Sequence, residues 1–125
     1  MKRTHNDGAS LRKPAGISSF ARVIRQYKAN AKRRGILFTL TDSEMRTLTS
    51  QICVYCGVEP RQVMCDKDAN GPYIYNGVDR IDSSIGYILS NCTTACKFCN
   101  KAKTNMSVID WLEWLNRIAA FKRSL

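Results

Sequence analysis

The chain has one histidine, His5, and nothing near it would orient it as a ligand or a base, so no chemistry is assigned to it. No apolar run approaches the roughly 18 residues that a bilayer crossing needs, which excludes a membrane span. The opening MKRTHNDGASLRKPAG has basic residues but no apolar stretch behind them, so a secretory signal is not expected. Without export the protein belongs in the cytoplasm. In that reducing setting its six cysteines point to metal binding ahead of a disulfide framework. Asp66, Asp68 and Asn70 alternate as in a calcium loop, but position 77, where the glutamate should stand, is glycine, which excludes an EF-hand. No repeat or low-complexity segment is visible.

Acids are scarce at one end. Residues 1–40 hold ten Lys and Arg against Asp7 alone, whereas residues 41–125 hold ten against nine acids. The net charge of +10 is therefore almost wholly N-terminal. Such asymmetry implies a polyanionic partner, most often nucleic acid. At 125 residues the chain makes one domain, expected over 17–125, preceded by a flexible basic arm over 1–16. A chain this short buries a modest core, so a metal staple would matter to its stability.

The cysteines supply such a staple. Cys53-x-x-Cys56-Gly57 and Cys96-x-x-Cys99 are two tight knuckles, each able to turn both sulfurs toward one point. Four thiolates suit a tetrahedral structural zinc and leave no open position for water. Cys65 and Cys92 are left over.

The remaining pattern is mixed α and β. Ser18 or Ser19 can cap a helix running to about Arg34, with Gly35 as its stop. Phe20, Val23, Ile24, Tyr27 and Ala31 form its core stripe, and Arg22, Arg25, Lys28, Lys32 and Arg33 fall largely off it. This basic amphipathic helix is expected to hold nucleic acid. Ile36–Leu40 reads as a strand or extended link, and Thr41 with Glu44 as a capping box, with Met45, Leu48 and Ile52 facing inward. Residues 61–72 read as a loop. Extended structure is expected at Tyr73–Tyr75 and Val78–Ile81 around an Asn76-Gly77 turn, with a second strand at Gly86–Leu89. The second knuckle should open a helix. Ser107 and Asp110 resemble another capping box, opening a last helix to about Lys122. Its apolar residues Ile109, Leu112, Leu115, Ile118 and Ala119, broadened by Trp111, Trp114 and Phe121, are expected in the core.

Val78-Asp79-Arg80-Ile81-Asp82, Gly86-Tyr87, Asn91 and Cys96-x-x-Cys99-Asn100-x-x-Lys103 together resemble the HNH endonuclease family. The resemblance is greater to the small HNH-like proteins of bacteriophages and other mobile elements, in which a YxxxAKxRGxxFxL region precedes the first knuckle. Here that region reads YKANAKRRGILFTL, Tyr27 to Leu40. The resemblance covers about residues 20–118. It implies an α+β fold with a zinc-stapled ββα-metal core over about residues 50–105, a basic amphipathic helix before it and a helix after it.

It also implies a site. Asp79 and Asn100 match the ligands of a catalytic Mg²⁺ or Mn²⁺, Asn91 matches the middle asparagine of the family name, and Lys103 matches a basic residue near the phosphates. Arg80 stands where the family usually has its general-base histidine. Arginine is effectively always protonated and cannot take a proton from water, but it can clamp a phosphate. The base would then be Asp82, a metal-bound hydroxide or solvent. The implied activity is metal-dependent cleavage of DNA, double-stranded DNA foremost. The alternative is a catalytically inactive zinc-stapled module that binds nucleic acid.

Overall fold

The computed structural model describes residues 14–67 and 69–125. Most of the basic arm, with His5, and Asp68 of the 61–72 segment lie outside the described residues. Among the described residues there are four α-helices and two small antiparallel sheets. In chain order they are α1 (Ile17–Arg33), α2 (Asp42–Thr49), β1 (Gln62–Met64), β2 (Tyr73–Tyr75), β3 (Gly77–Arg80), β4 (Cys92–Ala95), α3 (Lys97–Lys103) and α4 (Val108–Arg123). β1 pairs with β2, Gln62 opposite Tyr75, and β3 pairs with β4, Asp79 opposite Thr93. The fold is α+β, and β3, β4 and α3 form a contiguous ββα unit.

α1 packs Phe20, Val23 and Ile24 into a core shared with Leu40, Met45, Leu48, Tyr73, Tyr75 and Val78. Gly16, not Ser18 or Ser19, is its N-cap, and no side chain caps it. Ser19 is instead buried, donating from Oγ to Gly71 O (2.8 Å) and accepting from Asp66 N–H (3.1 Å). The segment expected to be a loop contains β1, and the β1–β2 connection docks on the start of α1. The Gly16 N–H to Asn70 O bond, 2.6 Å, fixes the chain before residue 17, inside the expected arm. At the other end Ile36 N–H reaches Ala31 O (2.8 Å) and Gly35 N–H reaches Lys32 O (3.2 Å). With Gly35 at φ +69°, this paired closure is the Schellman stop that glycine permits.

The 36–40 segment is an extended link. It meets Tyr87 through one isolated bridge at Phe38, with Tyr87 N–H on Leu37 O and Thr39 N–H on Tyr87 O. The backbones approach so closely that a Cβ at Gly86 would lie 2.6 Å from Leu37 O. Thr41 and Glu44 form the expected reciprocal capping box, at 3.1 and 2.9 Å. Met45 and Leu48 face inward, but Ile52 falls beyond the end of α2 and is exposed. The second strand of the ββ pair is Cys92–Ala95, not Gly86–Leu89. The polar Cys-Thr-Thr run hid it, because β4 is paired along one edge and packs under the first knuckle.

α4 also departs from expectation. Ser107 caps it, accepting from Asp110 N–H at 3.1 Å, but Trp111 is the one buried residue of this helix among the described residues. Ile109 is 80% exposed, and Leu112, Trp114, Ile118 and Phe121 are exposed too. The apolar stripe is real in the sequence, yet no described element lies opposite it.

The link between α3 and α4 carries local strain. Thr104 has φ +50° and ψ −121°, and Met106 N–H bonds Lys103 O at 3.0 Å. This is a type II′ turn with a β-branched residue where glycine is favoured. Thr104→Gly should therefore stabilise the domain by about 1 kcal/mol, the strain relieved less the added freedom of the unfolded chain. Denaturant unfolding should show a raised midpoint; a lowered one would mean the turn is unstrained.

Candidate active site

The first knuckle is a turn closed by Gly57 N–H on Cys53 O (2.8 Å) and Cys53 N–H on Val58 O (2.9 Å). Val54 N–H bonds Thr94 O, which ties the knuckle to β4. The second knuckle is the start of α3, where Cys96 is the N-cap and its sulfur accepts from Cys99 N–H at 3.4 Å. The Sγ atoms of Cys53, Cys56, Cys96 and Cys99 all lie within 4.8 Å of one another, with Cys56 and Cys96 3.7 Å apart. A zinc–sulfur bond of about 2.3 Å places the sulfurs of a tetrahedron about 3.8 Å apart. The four thiols can thus hold a metal such as zinc.

Their ionisation is uneven: Cys56 is held above the ordinary thiol range, and burial pushes Cys99 up. Burial raises the Cys53 thiol, but the N–H groups of Cys96, Cys56 and Tyr55 outweigh it and bring it down to about 7. Cys92 is half-buried against the main core, and burial pushes its thiol up to about 11. It behaves as a small hydrophobe. Cys65 is exposed.

α3 joins this centre to a second one. Cys99 faces the sulfur cluster, Asn100 the neighbouring cleft, and Lys103, one turn on from both, lies under β3. The cleft has a volume of about 200 Å³ and its walls include Asp79, Arg80, Asn100, Thr104, Asn105, Arg34 and Tyr87. Asp79 is 5% exposed. Its Oδ2 accepts from the Tyr55 hydroxyl at 2.9 Å and meets Lys103 Nζ at 3.3 Å. Asp79 Oδ1 has no partner among the described residues. Asn100 Nδ2 leans on Val78 O at 3.4 Å, and its Oδ1 likewise has no partner among the described residues. Two oxygens therefore remain available in one cleft. Oxygen donors suit Mg²⁺ or Mn²⁺, which complete their shell with water and phosphate.

Arg80 has one Nη1 committed to Ser83 O (2.6 Å) and Ile85 O (3.2 Å), with its guanidinium over the Tyr87 ring. Asn91 does not reach the cleft. Its Nδ2 donates to Asp82 O, Ile85 O and Gly86 O, and its Oδ1 accepts from Asp82 N–H at 2.9 Å. It holds the 82–86 turn that supports Arg80. Asp82 is fully exposed and outside the cleft, and Ser84 bonds hold its carboxyl below the usual range, which makes it a poor base.

The expected phosphate contacts also need correction. Lys103 is 0% exposed and ion-paired, so it cannot touch a backbone phosphate directly. Arg22 and Arg25 are partly neutralised by Asp66, at 3.1 and 3.7 Å. Lys28, Lys32 and Arg33 are exposed on the last turns of α1. Arg34, which follows them, reaches the cleft itself. The sequence analysis gives no role to Arg34 or Tyr55, although Arg34 is the fixed arginine of the YxxxAKxRGxxFxL region and Tyr55 stands inside the first knuckle.

No family model matches the chain. It is similar to a solved structure of the rare-cutting HNH restriction endonuclease PacI. That likeness has a TM-score of 0.58 and 24% identity, and covers 85% of this chain and 82% of that chain. The fold is HNH-like. Within this HNH-like fold α3 borders both the four-cysteine cluster, through Cys99, and the cleft, through Asn100. The chain is also 34% identical over 96 residues to an uncharacterised protein of Acanthamoeba polyphaga mimivirus. That match covers 77% of this chain but only 16% of the length of the viral protein. No helix among the described residues is long and apolar enough to cross a membrane.

Purified protein should contain about one zinc per chain, the stoichiometry of four sulfur ligands, and its removal should abolish cooperative unfolding. Elemental analysis with thermal melts before and after chelation checks this. A metal-free chain that melts at the same temperature would remove the cluster's structural role.

Proposed function

We propose that this domain is a metal-dependent DNA endonuclease of the HNH type, held together by a structural zinc at Cys53, Cys56, Cys96 and Cys99. The observation that carries the reading is the cleft in which Asp79 and Asn100 bring two uncommitted oxygens beside Arg80 and Arg34, on a ββα unit. Asp79 and Asn100 would hold one divalent cation. When bound, such an ion supplies a Lewis acid beside the scissile phosphate. Arg34, at the end of α1, steers a phosphate toward Asn100. Arg80, its other N–H donors uncommitted, clamps a phosphate oxygen and stabilises the charge that builds on it. Lys28, Lys32 and Arg33 hold the flanking backbone of double-stranded DNA, which gives affinity without sequence information. Among the described residues no cleft-lining side chain other than Asp79 is a carboxylate or imidazole, so the proton of the attacking water would pass to solvent or to a metal-bound hydroxide.

That same lack of a base favours one alternative, a zinc-stapled nucleic-acid-binding module without activity. Cleavage of supercoiled plasmid with Mg²⁺ or Mn²⁺ separates the two. Asp79→Asn is the informative control, because it keeps an acceptor for Tyr55 and Lys103, whereas alanine would leave a buried ammonium unpaired at a cost of about 3–5 kcal/mol. Asp79→Asn should abolish cutting while zinc content and DNA binding persist. If the parent protein cuts no DNA with any divalent ion but still binds it, the binding-module reading replaces this one.

A further inference from the structure

Tyr55 stands between two cysteines of the first knuckle, and its hydroxyl reaches out of that knuckle to Asp79 Oδ2 at 2.9 Å. Its ring is fixed from the other side by Trp111, packed edge to face at 5.7 Å and 2% exposed. Trp111 is also the residue through which α4 enters the buried interior. The hydroxyl is thus placed by two separate elements, the knuckle and α4. Lys103 Nζ converges on the same oxygen at 3.3 Å and also donates to Arg80 O at 3.2 Å. A carboxylate turns freely about its last bond unless one oxygen is tied. Here one oxygen has two partners and the other has none among the described residues.

We propose that Tyr55 is a positioning residue for Asp79. It ties Oδ2 so that Oδ1 stays turned into the cleft, and the sulfur cluster thereby sets the geometry of the second cation's site. The cluster is then more than a staple, because the turn that carries Cys53 and Cys56 also carries the hydroxyl that aims the acid. This rests on the reading of Asp79 as a cation ligand. Hydrogen bonds from outside the ligand shell commonly change metal affinity by about 10–100-fold.

The test is Mn²⁺ binding to the zinc-loaded full chain, followed by electron paramagnetic resonance. Tyr55→Phe keeps the ring and its contact with Trp111 and removes only the hydroxyl. Zinc content should be unchanged and Mn²⁺ affinity should fall about tenfold or more. Tyr73→Phe is the control, since it removes a buried hydroxyl bonded to Thr49 at 2.7 Å within the main core. It should lower thermal stability and leave Mn²⁺ affinity alone. Should Tyr55→Phe not fold, Trp111→Phe carries the test, because it keeps the hydroxyl but loosens the ring, and it should cost several-fold in affinity. Mn²⁺ affinity within about twofold of the parent in the folded variant would overturn the proposal, as would an equal loss in Tyr73→Phe. Failure of the underlying reading has a different signature: Asp79→Asn would then leave Mn²⁺ binding unchanged, and the proposal would fall with it.

Discussion

Everything in the domain that bears on chemistry depends on bringing Cys53 and Cys56 against Cys96 and Cys99. The two pairs are 40 residues apart between Cys56 and Cys96, yet their sulfurs stand 3.7 Å apart. The core of a domain this size is modest, and a metal held by the four thiolates would add a direct link across the insert. Once closed, the insert is held from both ends. β3 and β4 pair within it, and α3 leaves the second knuckle already pointed along β3. Cys99, Asn100 and Lys103 then face the sulfur cluster, the cleft and Asp79 in turn, on a helix of seven residues.

The electrostatics of the cleft follow from that closure. Asp79 is buried next to a buried Lys103, and a buried charge pair is tolerated only when its remaining bonding capacity is used. Tyr55 and the Arg80 carbonyl use part of it. The result is a carboxylate neutralised on one oxygen and open on the other, under a rim of Arg34 and Arg80. A rim of that sign attracts phosphate. If Asp79 and Asn100 hold a cation as proposed, a phosphate drawn to that rim would complete its shell.

The knuckles, the α1 stop at Gly35 and the Thr41–Glu44 box were legible because each depends on residues close in sequence. Asp79 and Asn100, expected as cation ligands from the ordered pattern around them, line one cleft. Three features were not legible. β4 is a Cys-Thr-Thr-Ala strand whose partner lies more than ten residues away, and nothing local announces it. Lys103 reads as a surface cation, and only the fold shows that an acid lies beneath β3 to receive it. The stripe on α4 reads as core by its period, but period identifies an apolar face and not what covers it. Asn91 illustrates a fourth case: its position in the pattern was right, while its amide turned out to be spent on the 82–86 turn.

Where a second cation binds decides whether the cleft is a catalytic site. The most direct measurement is anomalous diffraction from crystals grown with a short DNA duplex and Mn²⁺, collected at the zinc and manganese edges. Zinc should lie among the four sulfurs, and manganese should lie in the cleft, bonded to Asp79 Oδ1 and Asn100 Oδ1 and to a phosphate oxygen. Manganese bound elsewhere on the domain, or a phosphate in the cleft with no metal beside Asp79, would contradict that reading of the cleft.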